Sequence, residues 1–217
     1  MNVRLSLLLV LMFVASCASA PERGELTYLA LGASDAVGIG ATPLRNGYVF
    51  LVRDGLRDDG HDVMLVNFGI PGGEADDIAR LARLAPGVQP GLVTLWTGAN
   101  DVIGGVDPAA FEATLGELLE GLRDDTDAAI VIGDLPDLTR LPRFLERPDP
   151  DVTSARVRAF NDAIERQADE FDVPIARLSE VGMIEELTSD IDGFHPNDEG
   201  HRMIAERFLE QIREALP

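Results

Sequence analysis

The sequence contains no lysine, so arginine supplies every basic side chain apart from histidine. Its 18 basic residues are outnumbered by 38 acidic residues, which gives a formal net charge of −20 at pH 7. A surface with this charge repels phosphate backbones and anionic lipid headgroups. The composition therefore argues against a nucleic-acid partner, and the acidity itself is best explained as an adaptation for solubility or salt.

Cysteine is nearly absent, and the only one, Cys17, follows an apolar run at 5–15 that comes after a positively charged start. This run is too short to cross a bilayer, which needs about 20 apolar residues, and is typical of an export signal. Two cleavage sites compete. Residues 14–17, Val-Ala-Ser-Cys, are similar to a bacterial lipobox, whereas 18–20, Ala-Ser-Ala, suit ordinary signal peptidase but are followed by Pro21.

We favour the lipobox, in which Cys17 is lipidated and becomes the first mature residue. The predicted organisation is then a lipoprotein signal peptide at 1–16, an anchor and linker at 17–25, and one domain at 26–217. Several acyl chains on one residue give stable anchoring. We therefore expect an exported, monomeric lipoprotein on the periplasmic or cell-surface side of its membrane, which it contacts only through the anchor. Secretion without an anchor is the alternative.

Beyond residue 25, short apolar runs alternate with longer segments of helical periodicity. The apolar runs predict buried parallel strands at 26–31, 62–68, 92–96 and 128–132, with a weaker fifth at 174–178. The amphipathic segments predict helices at 47–58, 74–84, 108–123, 152–171 and 197–216. This alternation predicts a single three-layer α/β domain, in which helices flank a five-stranded parallel sheet.

One segment, 134–151, interrupts the alternation because it holds four prolines and has no clean period. Its position after the fourth strand predicts a long loop or lid. It offers apolar side chains for an acyl pocket, namely Leu135, Leu138, Leu141, Phe144 and Leu145. It also concentrates basic side chains that could receive a phosphate or carboxylate, namely Arg140, Arg143 and Arg147.

Polar residues capable of chemistry follow the predicted strands. Ser34 follows the first strand in Gly-Ala-Ser-Asp, Gly72 follows the second, and Asn100 follows the third in Gly-Ala-Asn-Asp. A further pair, Asp192 and His195, precedes the last helix in Asp-Gly-Phe-His. In an open α/β sheet, ligands bind at the carboxyl ends of the strands. We therefore expect these residues to share one edge of the sheet.

The order and spacing of these residues resemble the SGNH/GDSL hydrolase superfamily, which are esterases and lipases on a flavodoxin-like sheet. The resemblance spans residues 29–197, from Leu-Ala-Leu-Gly-Ala-Ser to Asp-Gly-Phe-His-Pro-Asn. It implies a catalytic Ser34, Asp192 and His195. It also implies an oxyanion hole built from Ser34, Gly72 and Asn100.

The chain departs from the family pattern at Ala33. The family usually has Gly-Asp-Ser at the nucleophile, where this chain has Gly32-Ala33-Ser34. The missing aspartate normally helps to fix the loop through local hydrogen bonds and does not itself react. In the second block, Gly69 is a less favoured oxyanion glycine than Gly72.

Elementary chemistry supports the same roles. A serine hydroxyl is a weak nucleophile unless a base takes its proton. His195 has a carboxylate three positions earlier, and if this loop turns like a helix, Asp192 and His195 face each other. Asp192 would then fix the imidazole tautomer that accepts the proton of Ser34. This chemistry requires no cofactor.

The other two histidines and the tryptophan have different expected roles. His201 lies six residues past His195, about 240° around a helix, so we expect a packing or surface residue. His61 follows Gly60 in a predicted turn. Asp192 with two divergent histidines is a poor zinc ligand set, so no metal is expected. Trp96 should pack in the core, or line an acyl or sugar pocket.

Two hypotheses of function follow. The first is a serine esterase that cleaves short to medium acyl esters or lysophospholipid, with carbohydrate O-acetylesterase activity on the same site as the alternative. Its substrate would be a small-molecule, lipid or glycan ester. The second is a non-catalytic surface lipoprotein that binds an acyl or glycan ligand, which Ala33 favours. The complete set of polar residues favours the esterase.

Overall fold

The structure, a computed structural model, describes residues 25–182 and 184–216. The predicted signal peptide at 1–16, the lipidation site Cys17 and all but the last residue of the linker lie outside the described residues. In the part of the chain that is described, none of the helices is sufficiently long and apolar to cross a bilayer.

A parallel sheet of five strands in the order β2-β1-β3-β4-β5 forms the centre of the domain. The strands are β1 (Glu25–Gly32), β2 (Asp62–Gly69), β3 (Leu92–Trp96), β4 (Ala129–Gly133) and β5 (Ile175–Ala176). Every residue of the central strand β3 is buried, as expected for a strand covered on both faces. The predicted α/β fold with a five-stranded parallel sheet is confirmed.

Helices cover both faces of this sheet. They are α1 (Ser34–Val37), α2 (Tyr48–Asp58), α3 (Ala75–Ala82), α4 (Ala85–Val88), α5 (Ala99–Ile103), α6 (Pro108–Asp125), α7 (Pro142–Glu146), α8 (Ser154–Phe171) and α9 (Asp198–Ala215). Helix α2 packs on α9, which also contacts β4 and β5, whereas α6 packs on α3 and α8. The long helices pack through apolar stripes at helical spacing, such as Ile204, Ala205, Phe208 and Ile212 on α9.

The strand order creates a crevice between β1 and β3. From β1 the chain crosses first to one neighbour, β2, and then to the other, β3, so the direction of winding reverses there. Loops that leave two strands at such a switch point diverge, and ligands bind between them at the carboxyl ends. Ser34 follows β1 and Asn100 follows β3, so the fold places both residues beside this crevice.

Two predicted elements differ from those observed. The helix predicted at 74–84 ends at Ala82, and α4, which has Pro86 in its first turn, follows as a separate turn. A proline lacks the backbone N–H that would continue the helix. The fifth strand, predicted at 174–178, is reduced to Ile175–Ala176 at the edge of the sheet.

The prediction for segment 134–151 is wrong in one respect. It folds as a short 3-10 turn at Leu138–Arg140 followed by α7. The apolar side chains proposed for an acyl pocket instead belong to the core, except one: Leu135, Leu138, Leu141 and Phe144 are buried, and Leu145 is 67% exposed. None of them lines the cavity beside Ser34. This packing could not be predicted because the prolines interrupt the helical periodicity on which the prediction depended.

Candidate active site

Glycines allow the loop that carries Ser34 to approach its neighbours closely. A Cβ at Gly32 would lie 2.9 Å from the carbonyl oxygen of Trp96, so only glycine lets β1 end against β3. Gly40 has a φ of +96°, and a Cβ there would clash with the carbonyl oxygen of Pro196. The turn after α1 therefore packs directly against the chain that follows His195.

Ser34, His195 and Asp192 form a continuous chain of hydrogen bonds. His195 Nδ1 lies 2.5 Å from Asp192 Oδ2, and His195 Nε2 lies 2.8 Å from Ser34 Oγ. The second Asp192 oxygen, Oδ1, accepts the backbone N–H groups of Phe194 at 2.9 Å and His195 at 3.0 Å. The loop turns tightly enough for residues three apart to face each other.

Backbone hydrogen bonds hold the loop that carries His195. The His195 carbonyl accepts the N–H of Ser189 at 2.8 Å, and the Ser189 carbonyl accepts that of Gly193 at 2.9 Å. Gly193 has a φ of +62°, a left-handed conformation that favours glycine. Asn197 then caps α9 by accepting the N–H of Gly200 at 3.0 Å. Together these contacts fix the imidazole at the start of the last helix.

Backbone N–H groups of Ser34 and Gly72 are available for a ligand. Neither has an acceptor among the described residues. Gly72 has a φ of +76° and lies in an exposed turn. Gly69 differs, because its N–H donates to Asn67 Oδ1 at 2.9 Å, and a Cβ there would lie 2.8 Å from Val37. The structure therefore favours Gly72 over Gly69 as an oxyanion donor.

Asn100 and Asp101 connect the turn of Gly72 to the end of β3. Asn100 Nδ2 donates to the carbonyl of Gly73 at 2.9 Å, which orients the amide and leaves its second N–H available. The buried carboxylate of Asp101 accepts the N–H of Ala75 through both oxygens, at 3.0 and 3.1 Å. This role of Asp101 was not predicted from the sequence, in which its one signal is an acidic residue next to the candidate oxyanion amide.

Burial and hydrogen bonding act differently on the carboxylates around the site. Burial alone would raise the pKa of Asp192, but hydrogen bonds from His195 and from the backbone hold that pKa below its usual value. Burial raises the pKa of Asp101 to about 6. It also raises the pKa of the half-buried Asp35, and the charges of His195 and His201 oppose this rise. The carboxylate bonded to the imidazole is therefore the one most strongly held ionised.

A small cavity of about 10 Å³ adjoins Ser34. Ala33, Trp96 and Phe194 form part of its wall. Thr97 also lines it, and among the described residues the Thr97 hydroxyl is buried without a hydrogen-bond partner. Trp96 is mostly core and donates Nε1–H to the carbonyl of Asp134 at 3.1 Å.

The other two histidines lie apart from the hydrogen-bond chain of Asp192, His195 and Ser34. His201 is fully buried in α9, where Nδ1 accepts the N–H of Tyr48 and Nε2 donates to the carbonyl of Ile39. His61 precedes β2, at the amino end of the strands. Within 25–182 and 184–216, no group of three or more histidine, cysteine, aspartate or glutamate side chains is placed to hold a metal.

The fold and the site together define an α/β enzyme with its chemistry at the carboxyl edge of the sheet. Residues 30–203 match the GDSL-like lipase/acylhydrolase family. The chain belongs to this family and is an ester hydrolase, which disfavours the binding-only hypothesis.

Two curated relatives are named as esterases. The chain is 28% identical to an arylesterase of Vibrio mimicus over an alignment of 207 residues, which covers 94% of this chain and 95% of that protein. It is 30% identical to the esterase TesA of Pseudomonas aeruginosa over an alignment of 121 residues, which covers 55% of this chain and 60% of TesA. The match to TesA thus spans less than two thirds of that relative.

Solved structures share the fold. A crystal structure of TesA superimposes with a TM-score of 0.73 at 24% identity, covering 88% of this chain and 99% of that chain. The psychrotrophic esterase EstA of a Pseudoalteromonas species gives a TM-score of 0.70 at 19% identity, covering 87% and 97%. At these identities, the structures establish the architecture alone.

Proposed function

We propose that the chain is a serine esterase that forms an acyl-enzyme on Ser34, with His195 as the general base and Asp192 as its orienting carboxylate. The observation that carries this proposal is the unbroken hydrogen-bond chain from Asp192 through His195 to Ser34, with contacts of 2.5 and 2.8 Å. Residues 161 positions apart in sequence meet in this chain. That geometry is the criterion for a serine, histidine and aspartate triad.

The hydrogen bonds dictate how the proton moves. Because Asp192 accepts the Nδ1 proton, Nε2 is the imidazole nitrogen that takes the proton of Ser34 as Oγ bonds to the ester carbonyl carbon. The carbonyl electron pair moves to its oxygen, which gives a tetrahedral intermediate. When the pair returns, the ester C–O bond breaks, and His195 gives the proton to the departing alcohol oxygen. A water molecule repeats the sequence and releases the acid from Ser34.

The proposed oxyanion hole for that intermediate consists of three donors. They are the backbone N–H groups of Ser34 and Gly72 and the free N–H of the Asn100 amide. Asn100 is held by the carbonyl of Gly73 at 2.9 Å, so its amide does not have to reorganise during the reaction. Each such donor is typically worth about 3 kcal/mol of the barrier.

The cavity beside Ser34 supports short acyl groups. Its volume of about 10 Å³ is close to the smallest that holds one water molecule, so the short acetyl group fits more readily than a long chain. A lysophospholipid chain would have to extend along the surface, because the apolar residues of segment 134–151 are mostly buried. We therefore favour acetyl and other short esters, including aryl esters such as the name of the Vibrio relative suggests. Deacetylation of a carbohydrate is the second candidate.

The test is hydrolysis of p-nitrophenyl esters from acetate to laurate by residues 21–217, with Ser34→Ala as the control. We expect the highest kcat/KM for acetate or butyrate, and a loss of at least about 1,000-fold in the variant. Equal activity of the two proteins would refute Ser34 as the nucleophile. An optimum at laurate would leave the triad standing but would contradict the assignment to short acyl groups.

We also propose that the enzyme is exported and anchored through lipidated Cys17, because the sequence at 14–17 is similar to a lipobox. The mature domain would then sit close to its membrane. Expressed with its signal in a bacterial host, the full chain should fractionate with membranes and carry added lipid mass at Cys17, whereas Cys17→Ser should not. A wild-type chain that is cleaved after Ala20 and found in the soluble fraction would contradict the anchor.

A further inference from the structure

Arg143 packs against Phe194, a residue that lines the cavity beside Ser34. Its backbone N–H donates to the carbonyl of Gly193 at 2.9 Å, which ties α7 to the loop that carries His195. Its guanidinium carbon lies 5.3 Å from the centre of the Phe194 ring and 5.5 Å from that of Phe144. Cation–π contacts of this kind hold the charge over the rings.

Phe194 connects this charge to the reacting groups. Its ring meets the imidazole of His195 edge to face, with centroids 4.9 Å apart. It also lines the cavity that contains Ser34. Phe194 thus contacts both the guanidinium of Arg143 and the imidazole of His195.

Arg143 is exposed and makes no ion pair within the described residues, although the chain has 38 acidic side chains. Eight other arginines do pair with carboxylates: Arg53, Arg57, Arg80, Arg166, Arg177, Arg202, Arg207 and Arg213. Neighbouring Arg140 is less available, because it shares a groove with Glu146, Glu185 and Glu186. Arg143 therefore keeps a guanidinium that can bind a ligand.

We propose that Arg143 is a specificity-determining residue that binds a negatively charged group of the ester substrate. The proposal rests on the proposed function, because it places the charge relative to an ester held at Ser34. A guanidinium presents a planar set of donors that matches the oxygens of a carboxylate or phosphate. The net charge of −20 repels anions from the rest of the surface. The unpaired guanidinium of Arg143 beside Phe194 should therefore increase the affinity for an anionic ester more than that for a neutral ester.

A purely structural role for Arg143 makes a different prediction. If the guanidinium only packs on Phe144 and Phe194, its removal should lower the stability of the protein and change kcat/KM by the same factor for all substrates. If it binds the substrate, its removal should act on charged esters more than on neutral ones. The ratio of kcat/KM for two esters measured on one preparation separates these cases, because the fraction of folded enzyme cancels.

The experiment uses two matched probe pairs, each an anion and its neutral amide. Charge on the leaving group is tested with 4-acetoxybenzoate against 4-acetoxybenzamide, and charge on the acyl group with the mono-p-nitrophenyl ester of adipic acid against its terminal amide. In Arg143→Gln, the anionic-to-neutral ratio should fall about fivefold in at least one pair, the size expected of one exposed ion pair. Added salt should lower this ratio in the wild type and have little effect in the variant.

Two further variants make the result decisive. Arg143→Lys keeps the charge and should retain most of the ratio. Arg83→Gln removes an exposed arginine beyond the C-terminal end of α3 and should leave the ratio unchanged. An unchanged ratio in Arg143→Gln for both pairs, with hydrolysis still abolished by Ser34→Ala, would overturn the role of Arg143 alone. Neutral-ester hydrolysis that survives in Ser34→Ala would instead overturn the proposed function.

Discussion

His195 and His201 lie six residues apart, yet their surroundings differ in kind. Among the described residues, the imidazole of His195 bonds to two side chains, Asp192 and Ser34, and is 16% exposed. His201 is fully buried and its ring bonds to the backbone, accepting from Tyr48 and donating to Ile39. One ring has partners that can exchange a proton, and the other has partners that cannot.

The difference shows how the fold assigns roles to identical residues. Burial lowers the pKa of His201, while its hydrogen bond to Ile39 and the nearby carboxylate of Asp35 oppose this. The backbone N–H of Tyr48 can donate only to an unprotonated Nδ1, so this hydrogen bond requires the neutral ring, whereas the donation from Nε2 to Ile39 is possible in either protonation state. His201 therefore serves as a neutral connector between α9 and the start of α2. His195, between a carboxylate and a hydroxyl, suits proton transfer.

The largest effect expected from this comparison is that of the paired substitutions His195→Gln and His201→Gln. His195→Gln should lower kcat/KM by at least about 1,000-fold, because Ser34 loses its base, with little change in melting temperature. His201→Gln should instead cost about 1–3 kcal/mol of unfolding free energy, because buried backbone groups lose their partners. Esterase kinetics and urea unfolding on both variants provide the measurement.

Active-site titration supplies the control, since kcat per titrated site corrects for unfolded protein. On that basis His201→Gln should stay within a fewfold of the wild type. A large loss of kcat per titrated site in His201→Gln, at unchanged stability, would mean that the two histidines act together. The distinction between base and connector would then fail.

Much of the fold could be predicted from the sequence because its signals are local. Buried strands read as apolar runs, such as 92–96, and the helices between them carry an apolar stripe. The residues singled out from the four family blocks were brought to one edge for the same reason, since each directly follows a strand or precedes α9. The roles assigned to Ser34, Asp192 and His195 remain predictions, although their hydrogen bonds agree with those roles.

Features that depend on distant partners could not be predicted. Segment 134–151 has no period because its prolines divide it, so the burial of Leu135 and Phe144 shows only when the core is assembled. Asp101 follows Asn100 directly, but its contact with Ala75 spans 26 positions and depends on two separate loops meeting. The position of Arg143 over Phe194 likewise depends on α7 meeting the loop before α9.

The carboxylates Asp192 and Asp101 differ from each other in the same way as His195 and His201 do. Asp192 bonds to His195 and its pKa is lowered, whereas both carboxylate oxygens of Asp101 accept the backbone N–H of Ala75. Burial raises the pKa of Asp101 to about 6, above the value of about 3.9 in an unfolded chain. The folded state therefore binds a proton more readily than the unfolded state between these two values. Stability from this group is complete below about pH 4 and is lost as the pH rises through about 6.

The smallest expected effect follows from the direction of this pH dependence of stability. Asp101→Asn removes the titration while keeping an oxygen that can accept the N–H of Ala75. Relative to the variant, the wild type should lose up to about 3 kcal/mol of unfolding free energy between pH 4 and pH 7. Urea unfolding of both proteins across this range measures the effect of Asp101 together with its coupling to Glu74 and Asp77, because the groups distant from it contribute equally to the two curves. A difference that does not change with pH would show that the Asp101 carboxylate is not strained by burial, and that it differs from Asp192 less than its contacts indicate.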